Sequence, residues 1–135
     1  MTSISAWMHI VVVWDTTDVS AANNKVVVYV NGTALPGSYA NISQNDVLPW
    51  TKNGNALYIG KHATVNRPFD GYIADIHLID GQALAPTAFA EEYYGVWTPK
   101  AYSGTYGNNG FKLDFANSAD IGNDVSGNNN DLTPG

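Results

Sequence analysis

Paired carboxylates are the first side chains in this sequence that could do chemistry, because hydrolysis of a glycosidic bond uses two of them. A retaining hydrolase holds its two carboxyl groups about 5–5.5 Å apart, which on one strand requires an even spacing. Asp75 and Asp80 lie five residues apart, which places them on opposite faces of an unbulged strand. Glu91 and Glu92, the only glutamates, are adjacent in a segment predicted to be helical. We therefore expect no enzymatic activity.

The three histidines are the next candidates. His9 and His77 are each flanked by apolar residues of a predicted strand, and we expect both to be structural histidines bonded within a sheet. His62 lies in a predicted polar turn and has no partner in the sequence pattern. A metal site that uses all three is not expected.

Hard oxygen ligands of the kind that calcium prefers are concentrated near the end of the sequence. The spacing does not match an EF-hand, because no glutamate stands at the twelfth position. Two interpretations stay open, and the favoured one is a loop shaped by Asx-turns. The other is a calcium site, for which the candidate ligands are Asp120, Asp124, Asn128 and Asp131.

Carbohydrate binding requires aromatic faces for the sugar rings and amides or carboxylates for the hydroxyl groups. The irregular segment 34–55 supplies both, and loops of this length are often functional. Candidate glycan-binding residues there are Tyr39, Asn41, Asp46, Trp50 and Asn53. The alternative for Trp50 is an anchor of the core or loop. A second aromatic set, Trp97, Tyr102 and Tyr106, is expected to pack against a neighbouring domain or subunit.

Composition limits the classes of partner. The 135 residues suit one domain, and the net charge of −6, with only six lysines and arginines, argues against nucleic acid and against anionic membrane surfaces. No apolar run approaches the roughly 20 residues that span a bilayer, and the first residues do not resemble a secretion signal. There is no cysteine, which excludes disulfides. If the protein works outside a cell, we expect it to get there without a classical signal, for example as part of an assembled particle.

Valine-rich runs predict strands early in the chain. Residues 7–14 and 25–31 are strongly β-prone, and we expect them to form an antiparallel pair. Asn31-Gly32 is a strong hairpin-type turn signal at the end of the second run. Residues 56–60 and 111–115 predict further short strands.

The central element of the prediction is residues 72–79, which carry apolar side chains in both strand phases. This pattern predicts a strand that is buried on much of both faces. A short helix is expected over residues 82–94, with Pro86 in its first turn and Gly95 at its end. Short strands, polar turns and one small helix together predict an all-β sandwich.

Four segments in the right order resemble the motifs of laminin-G-like domains of the concanavalin A-like lectin/glucanase superfamily. They are WMHIVVVWD at 7–15, VYVNG at 28–32, LYIG at 57–60, and FDGYIADI at 69–76 with Ala83-Leu84. The resemblance implies an antiparallel jelly-roll β-sandwich of the concanavalin A-like type. Glucanases of this superfamily carry E-x-D-x-x-E on one strand, and no such motif occurs here.

A narrower resemblance is to the variant of this domain in virion proteins of marine bacteriophages. It is carried by DGYIADIHLIDGQAL at 70–84, GVWTPKAYSGTYG at 95–107 and GFKLDF at 110–115. It implies a virion structural protein on the exterior of the phage particle. Other virion subunits are the implied partners, in an oligomeric assembly.

The order of the motifs predicts three parts. Residues 1–95 resemble the later strands of a laminin-G-like sandwich, and residues 96–109 are expected to form an extended connector. Residues 110–135, a strand and an Asn/Asp-rich turn, resemble the start of such a domain. They either complete the sandwich or open a following domain, and a fragment of a longer tandem protein is the favoured explanation.

The functional expectation is a non-catalytic, lectin-like structural module of a phage virion, either a capsid decoration or a tail or fibre protein. It would mediate subunit contacts and adhesion to host-surface glycans. A purely structural capsid or tail subunit is the alternative, and a glycoside hydrolase is the least favoured class.

Overall fold

The computed structural model describes residues 7–19, 26–36, 42–47, 56–62, 64–65 and 67–133. Within these ranges the chain is nearly all β, and every strand pairing is antiparallel, which confirms the predicted fold class. In the same ranges, no helix is both long and apolar enough to cross a bilayer. The chain divides into a first unit, Met1–Val47 with Ala83–Gly104, and a second unit, Leu48–Gln82 with Thr105–Gly135.

The first unit contains a three-stranded sheet. Its strands are β1, Ile10–Trp14, β2, Val26–Val30, and β3, Thr33–Ala34, in the order β1-β2-β3. The pairing of β1 with β2 runs from Ile10 opposite Val30 to Trp14 opposite Val26, and it confirms the predicted antiparallel pair. β-Branched side chains favour this pleated surface.

The turn between β2 and β3 confirms the hairpin signal at Asn31-Gly32. Both residues have positive φ, 47° and 78°, as a type I′ turn requires. Asn31 also receives a hydrogen bond at its side-chain Oδ1 from the backbone N–H of His9, at 2.9 Å. The turn therefore also secures the chain that leads into β1.

The predicted helix over residues 82–94 is wrong. A single 3-10 turn occupies Pro86–Ala88, and the chain then enters strand β5, Ala90–Tyr93. Strand β4, Ile76–Leu78, precedes the turn in the chain. β5 pairs with β6, Val96–Pro99, so the start of the segment expected to be a connector is a strand.

The turn between β5 and β6 gives the physical reason for that error. Tyr94 and Gly95 have φ of 48° and 77°, so the glycine that was expected to end a helix instead reverses a hairpin. An isolated helix of two turns is marginal in water, whereas the hairpin gains a second strand as its partner.

The second unit contains β4, Ile76–Leu78, paired antiparallel with β7, Phe111–Leu113. The predicted strand over residues 72–79 is therefore shorter than expected, because Asp75 has a φ of 52° that interrupts the extended backbone. The expected burial on both faces is also wrong, since the β4 residues are half-buried and Tyr72 is 87% exposed.

The buried side chains of the second unit lie on β7 instead. Phe111 and Leu113 are 4% and 2% exposed, and Lys112 between them is half-buried, as the alternating pattern predicts. Phe115 lies beyond the strand with a φ of 56°.

Residues 56–60 do not form the predicted strand. Gly60 is the last residue of this segment, and its carbonyl accepts a hydrogen bond of 2.7 Å from the N–H of Phe69. An isolated antiparallel bridge joins Lys61 to Pro68. Pairing at this place closes a loop rather than extending a sheet.

Candidate functional site

The predicted glycan-binding residues fall mostly outside the described part of the chain. Of these five candidates only Asp46 has a described position; the residues outside the described ranges are Tyr39, Asn41, Trp50 and Asn53. Asp46 is exposed, and its Oδ1 accepts a hydrogen bond of 2.9 Å from the N–H of Val47. Glycan binding by this segment stays a prediction.

Trp97 packs inside the first unit. Its indole Nε1 donates a hydrogen bond of 2.9 Å to Nδ1 of His9, and its ring lies against Gly32. A Cβ at Gly32 would stand 2.7 Å from Cη2 of that ring. Tyr102, from the same predicted aromatic set, lies 5.0 Å from Phe89, centroid to centroid. Trp97 and Tyr102 therefore serve the unit's own packing, and the structural role expected for His9 is confirmed.

Asp75, His77 and Lys112 form an ion-pair group on the paired strands of the second unit. The carboxylate of Asp75 lies 3.3 Å from Nε2 of His77 and 3.2 Å from Nζ of Lys112. Nδ1 of His77 lies 2.9 Å from the hydroxyl of Tyr106, and the two rings stack at 5.8 Å. The structural role expected for His77 is confirmed.

The surroundings of Asp75 favour its charged form and lower its pKa. Partial burial raises its pKa, but hydrogen bonds and charges from Lys112 and His77 outweigh this and hold the pKa below its usual 3.8. A general acid in a glycosidase needs the opposite shift, to a raised pKa. Asp75 is therefore suited to an ion pair rather than to proton donation.

The other candidate catalytic carboxylates are Asp80, which is held by hydrogen bonds, and Glu91 and Glu92, which point to opposite faces of a strand. Oδ2 of Asp80 accepts hydrogen bonds from the backbone N–H and the side-chain Nδ2 of Asn109, at 3.2 and 2.8 Å. Glu91 and Glu92 are neighbours on β5, and adjacent residues of a strand point to opposite faces. None of these arrangements pairs two carboxylates across a reacting bond.

Asp124 is the centre of the Asn/Asp-rich turn and is only 7% exposed. Its Oδ1 accepts from the N–H groups of Lys112 and Ser126, at 2.9 and 2.8 Å. Its Oδ2 accepts from Oγ of Ser126 and the N–H of Asn130, both at 2.9 Å. Its own N–H donates to Oδ1 of Asp131 at 2.8 Å.

These donors set the charge state of Asp124. Burial raises its pKa, but the hydrogen bonds from Lys112, Ser126 and Asn130 together lower it below the usual 3.8. The carboxylate thus anchors the turn to β7 through the N–H of Lys112. This is the Asx-turn chemistry that the sequence favoured.

The amide side chains of the same turn bind backbone carbonyls. Nδ2 of Asn128 and Nδ2 of Asn130 each donate to the carbonyl of Gly110 at 2.9 Å. Asp120 is exposed and takes part through its backbone. Over the ranges that the structure describes, no three His, Asp or Glu side chains are grouped as metal ligands. The calcium site at Asp120, Asp124, Asn128 and Asp131 stays a prediction.

A basic loop at residues 61–68 is a feature that the motif patterns did not indicate. The structure shows a cavity of about 350 Å³ there. Its lining residues are Tyr58, Lys61, His62, Thr64, Val65, Arg67 and Pro68. The sequence signal was three basic side chains within seven residues, without an acidic one, in a chain whose net charge is −6.

Comparison with known proteins yields one family. A laminin G family model, described as the concanavalin A-like lectin/glucanases superfamily, matches residues 2–88. Searches of curated proteins and of solved structures found no match to this chain. The matched residues contain all four laminin-G-like motifs, whereas the phage-like segments at 95–107 and 110–115 lie beyond them.

Proposed function

Because this chain belongs to the concanavalin A-like lectin/glucanase superfamily, we propose that it is a non-catalytic, lectin-like structural module of a phage virion. It works on the exterior of the particle, as a capsid decoration or a tail or fibre protein. There it contacts other virion subunits and adheres to host-surface polysaccharide. The family match over residues 2–88 is the observation that carries the lectin-like part.

The state of the acidic side chains supports a non-catalytic module. Asp75 is ion-paired to Lys112 and lies 3.3 Å from Nε2 of His77, and Asp80 is hydrogen-bonded to Asn109. Hydrolysis by this superfamily's chemistry would need one carboxyl group kept protonated opposite a second one. Release of sugars from laminarin by the purified protein, abolished by Asp75→Asn, would contradict this part of the proposal.

The tip of the β5–β6 hairpin supports a role in subunit contact. Tyr93, Tyr94 and Val96 are 63%, 90% and 63% exposed, and the two tyrosine rings lie edge to face at 4.5 Å. Large apolar side chains exposed together are typical of protein interfaces. A purely structural subunit, the second candidate, uses this surface alone.

Adhesion is tested with glycan arrays and phage adsorption. We expect array binding by the purified protein, and weaker adsorption by phage carrying Trp50→Ala. Phage carrying Tyr72→Ala serves as the control, because Tyr72 is 87% exposed and belongs neither to the proposed glycan-binding segment nor to the proposed subunit surface. No array binding together with unchanged adsorption by the Trp50 variant would contradict adhesion and favour the purely structural subunit.

The virion assignment is tested on purified particles. Mass spectrometry should detect the chain, and cryo-electron microscopy should place it in repeated copies on the outer surface. In the assembled particle, Tyr94 should be buried against a neighbouring subunit. A particle without the chain would contradict the virion role.

A further inference from the structure

The basic loop at residues 61–68 has a fixed base. Lys61 and Pro68 form an antiparallel bridge, and the N–H of Phe69 donates to the carbonyl of Gly60 at 2.7 Å. The loop ends are thereby held together, so side chains from both arms face one cavity. Lys61 belongs to the first arm and Arg67 to the second.

The two cations in this loop are available to an anion. In the part of the chain that the structure describes, the ion pairs involve His77, Lys112 and Asp75, and neither Lys61 nor Arg67 is among them. The described lining of the cavity contains no acidic side chain. Nζ of Lys61 lies 5.1 Å from the centroid of Tyr58, which places this charge beside an aromatic ring.

The hydrogen-bond donors of the cavity also fit an anionic ligand. The backbone N–H of Thr64 donates to Nδ1 of His62 at 3.2 Å, which leaves Nε2 as the ring nitrogen that can donate to a ligand. Arg67 adds a planar fork of N–H groups that matches an oxyanion, and Lys61 adds a point charge. With Tyr58 as an apolar wall, this set offers donors to an oxyanion and a ring face to a sugar.

Resting on the proposed function, we propose that this cavity is a subsite for acidic polysaccharide, which binds a sulfate or carboxylate substituent between Lys61 and Arg67. Its volume of about 350 Å³ suits a single substituted sugar residue. Nucleic acid fits less well, because its charge at every nucleotide would meet a chain with a net charge of −6 outside this one loop. A polysaccharide with spaced charges needs only the local contact.

The experiment compares three polymers with one backbone: dextran sulfate, carboxymethyl dextran and uncharged dextran. Binding is measured by calorimetry at physiological salt for the wild-type protein and for the double variant Lys61→Gln/Arg67→Gln. We expect the wild type to bind at least one charged dextran, and the double variant to bind it about tenfold more weakly, with a shallower salt dependence. The preferred charged dextran identifies the substituent as sulfate or carboxylate.

The control for loss of positive charge is Lys100→Gln, which removes one exposed charge from the first unit, against two in the double variant. It should leave the affinity within about twofold of the wild type. Thermal unfolding of all variants verifies that the substitutions at exposed positions leave the fold intact. Equal losses in the double and control variants would overturn the subsite, as would a wild-type protein that binds neither charged dextran.

Two further outcomes separate this inference from the proposed function. If the double variant keeps its full affinity for charged dextran while array binding depends on Trp50, the subsite is overturned and adhesion stands. If a single-stranded oligonucleotide binds through Lys61 and Arg67 as tightly as dextran sulfate, the specificity for polysaccharide is overturned.

Discussion

The indole Nε1 of Trp97 donates a 2.9 Å hydrogen bond to Nδ1 of His9, although the two residues are 88 positions apart in the chain. Trp97 comes from β6, and His9 stands just before β1. The bond therefore joins the β5–β6 hairpin to the three-stranded sheet of the same unit. Gly32 allows this approach, because a side chain there would meet the Trp97 ring.

Replacing Trp97 by phenylalanine should destabilise the protein by about 1–2 kcal/mol. The change removes the donor to His9 and part of the packing area against Gly32, and a hydrogen bond contributes about 1 kcal/mol net. Urea unfolding measures the effect. Trp7→Phe is the control, because Trp7 is 69% exposed and its replacement should change the free energy of unfolding by less than about 0.5 kcal/mol. Equal effects of the two substitutions would argue against the contact.

Gly32→Ala and Gly95→Ala separate backbone strain from steric conflict. Both glycines have positive φ, 78° and 77°, so alanine costs about 1–2 kcal/mol at either position. Only at Gly32 would the new Cβ also meet Trp97, at 2.7 Å, whereas Gly95 has open space around it. We expect the Gly32 variant to be less stable by a further 1–3 kcal/mol or so. Equal midpoints in urea would show that Trp97 does not occupy this position.

Turn chemistry explains which parts of the fold could be predicted from the sequence. Asn31-Gly32 follows a valine-rich strand and is a signal with a strong local preference for one turn type. Tyr94 and Gly95 also both have positive φ. Tyrosine, unlike asparagine, has no strong preference for that conformation, and the helical spacing of the neighbouring aromatic residues led to the wrong prediction of a helix. Tertiary pairing with β6 decided the outcome there.

The candidate sites differ in the same way. Asp124 was identified from the local density of oxygen-bearing residues, because Asx-turns form between positions close in sequence. The cavity between Lys61 and Arg67 depends on the bridge that closes its loop, which no periodic pattern encodes. The ion pair of Asp75 with Lys112 depends on the register of two strands far apart in the chain.

Asp124→Asn should destabilise the second unit by about 2–3 kcal/mol. The amide replaces one acceptor oxygen by a donor group, which then faces N–H or O–H groups that already donate, and the lost bonds are to a charged partner. Unfolding in urea, followed by the fluorescence of the aromatic residues, measures the loss. Asp120→Asn, at an exposed position of the same turn, should be nearly neutral. A stable Asp124 variant would show that the turn does not need its central carboxylate.

The same carboxylate predicts how stability depends on acidity. Because folding lowers the pKa of Asp124 below 3.8, its contribution is present above that value and is lost as the pH falls through the lower folded pKa. The pKa of Asp75 is also lowered by folding, so Asp75 adds to the loss of stability at low pH. Urea midpoints between about pH 6 and pH 2.5 should therefore fall more steeply for the wild type than for Asp124→Asn. Parallel curves would contradict the lowered pKa.

Removal of calcium should leave the protein's stability unchanged. Both oxygens of Asp124 already accept two hydrogen bonds each, and Oδ1 of Asp131 accepts another, so a cation would have to displace these donors. We expect the unfolding temperature in EGTA and in millimolar calcium to agree within about 1 °C, since a ligand raises it only by binding the folded state. A calcium-dependent rise that is lost in Asp131→Asn would instead support the calcium site. Magnesium at the same concentration controls for ionic strength.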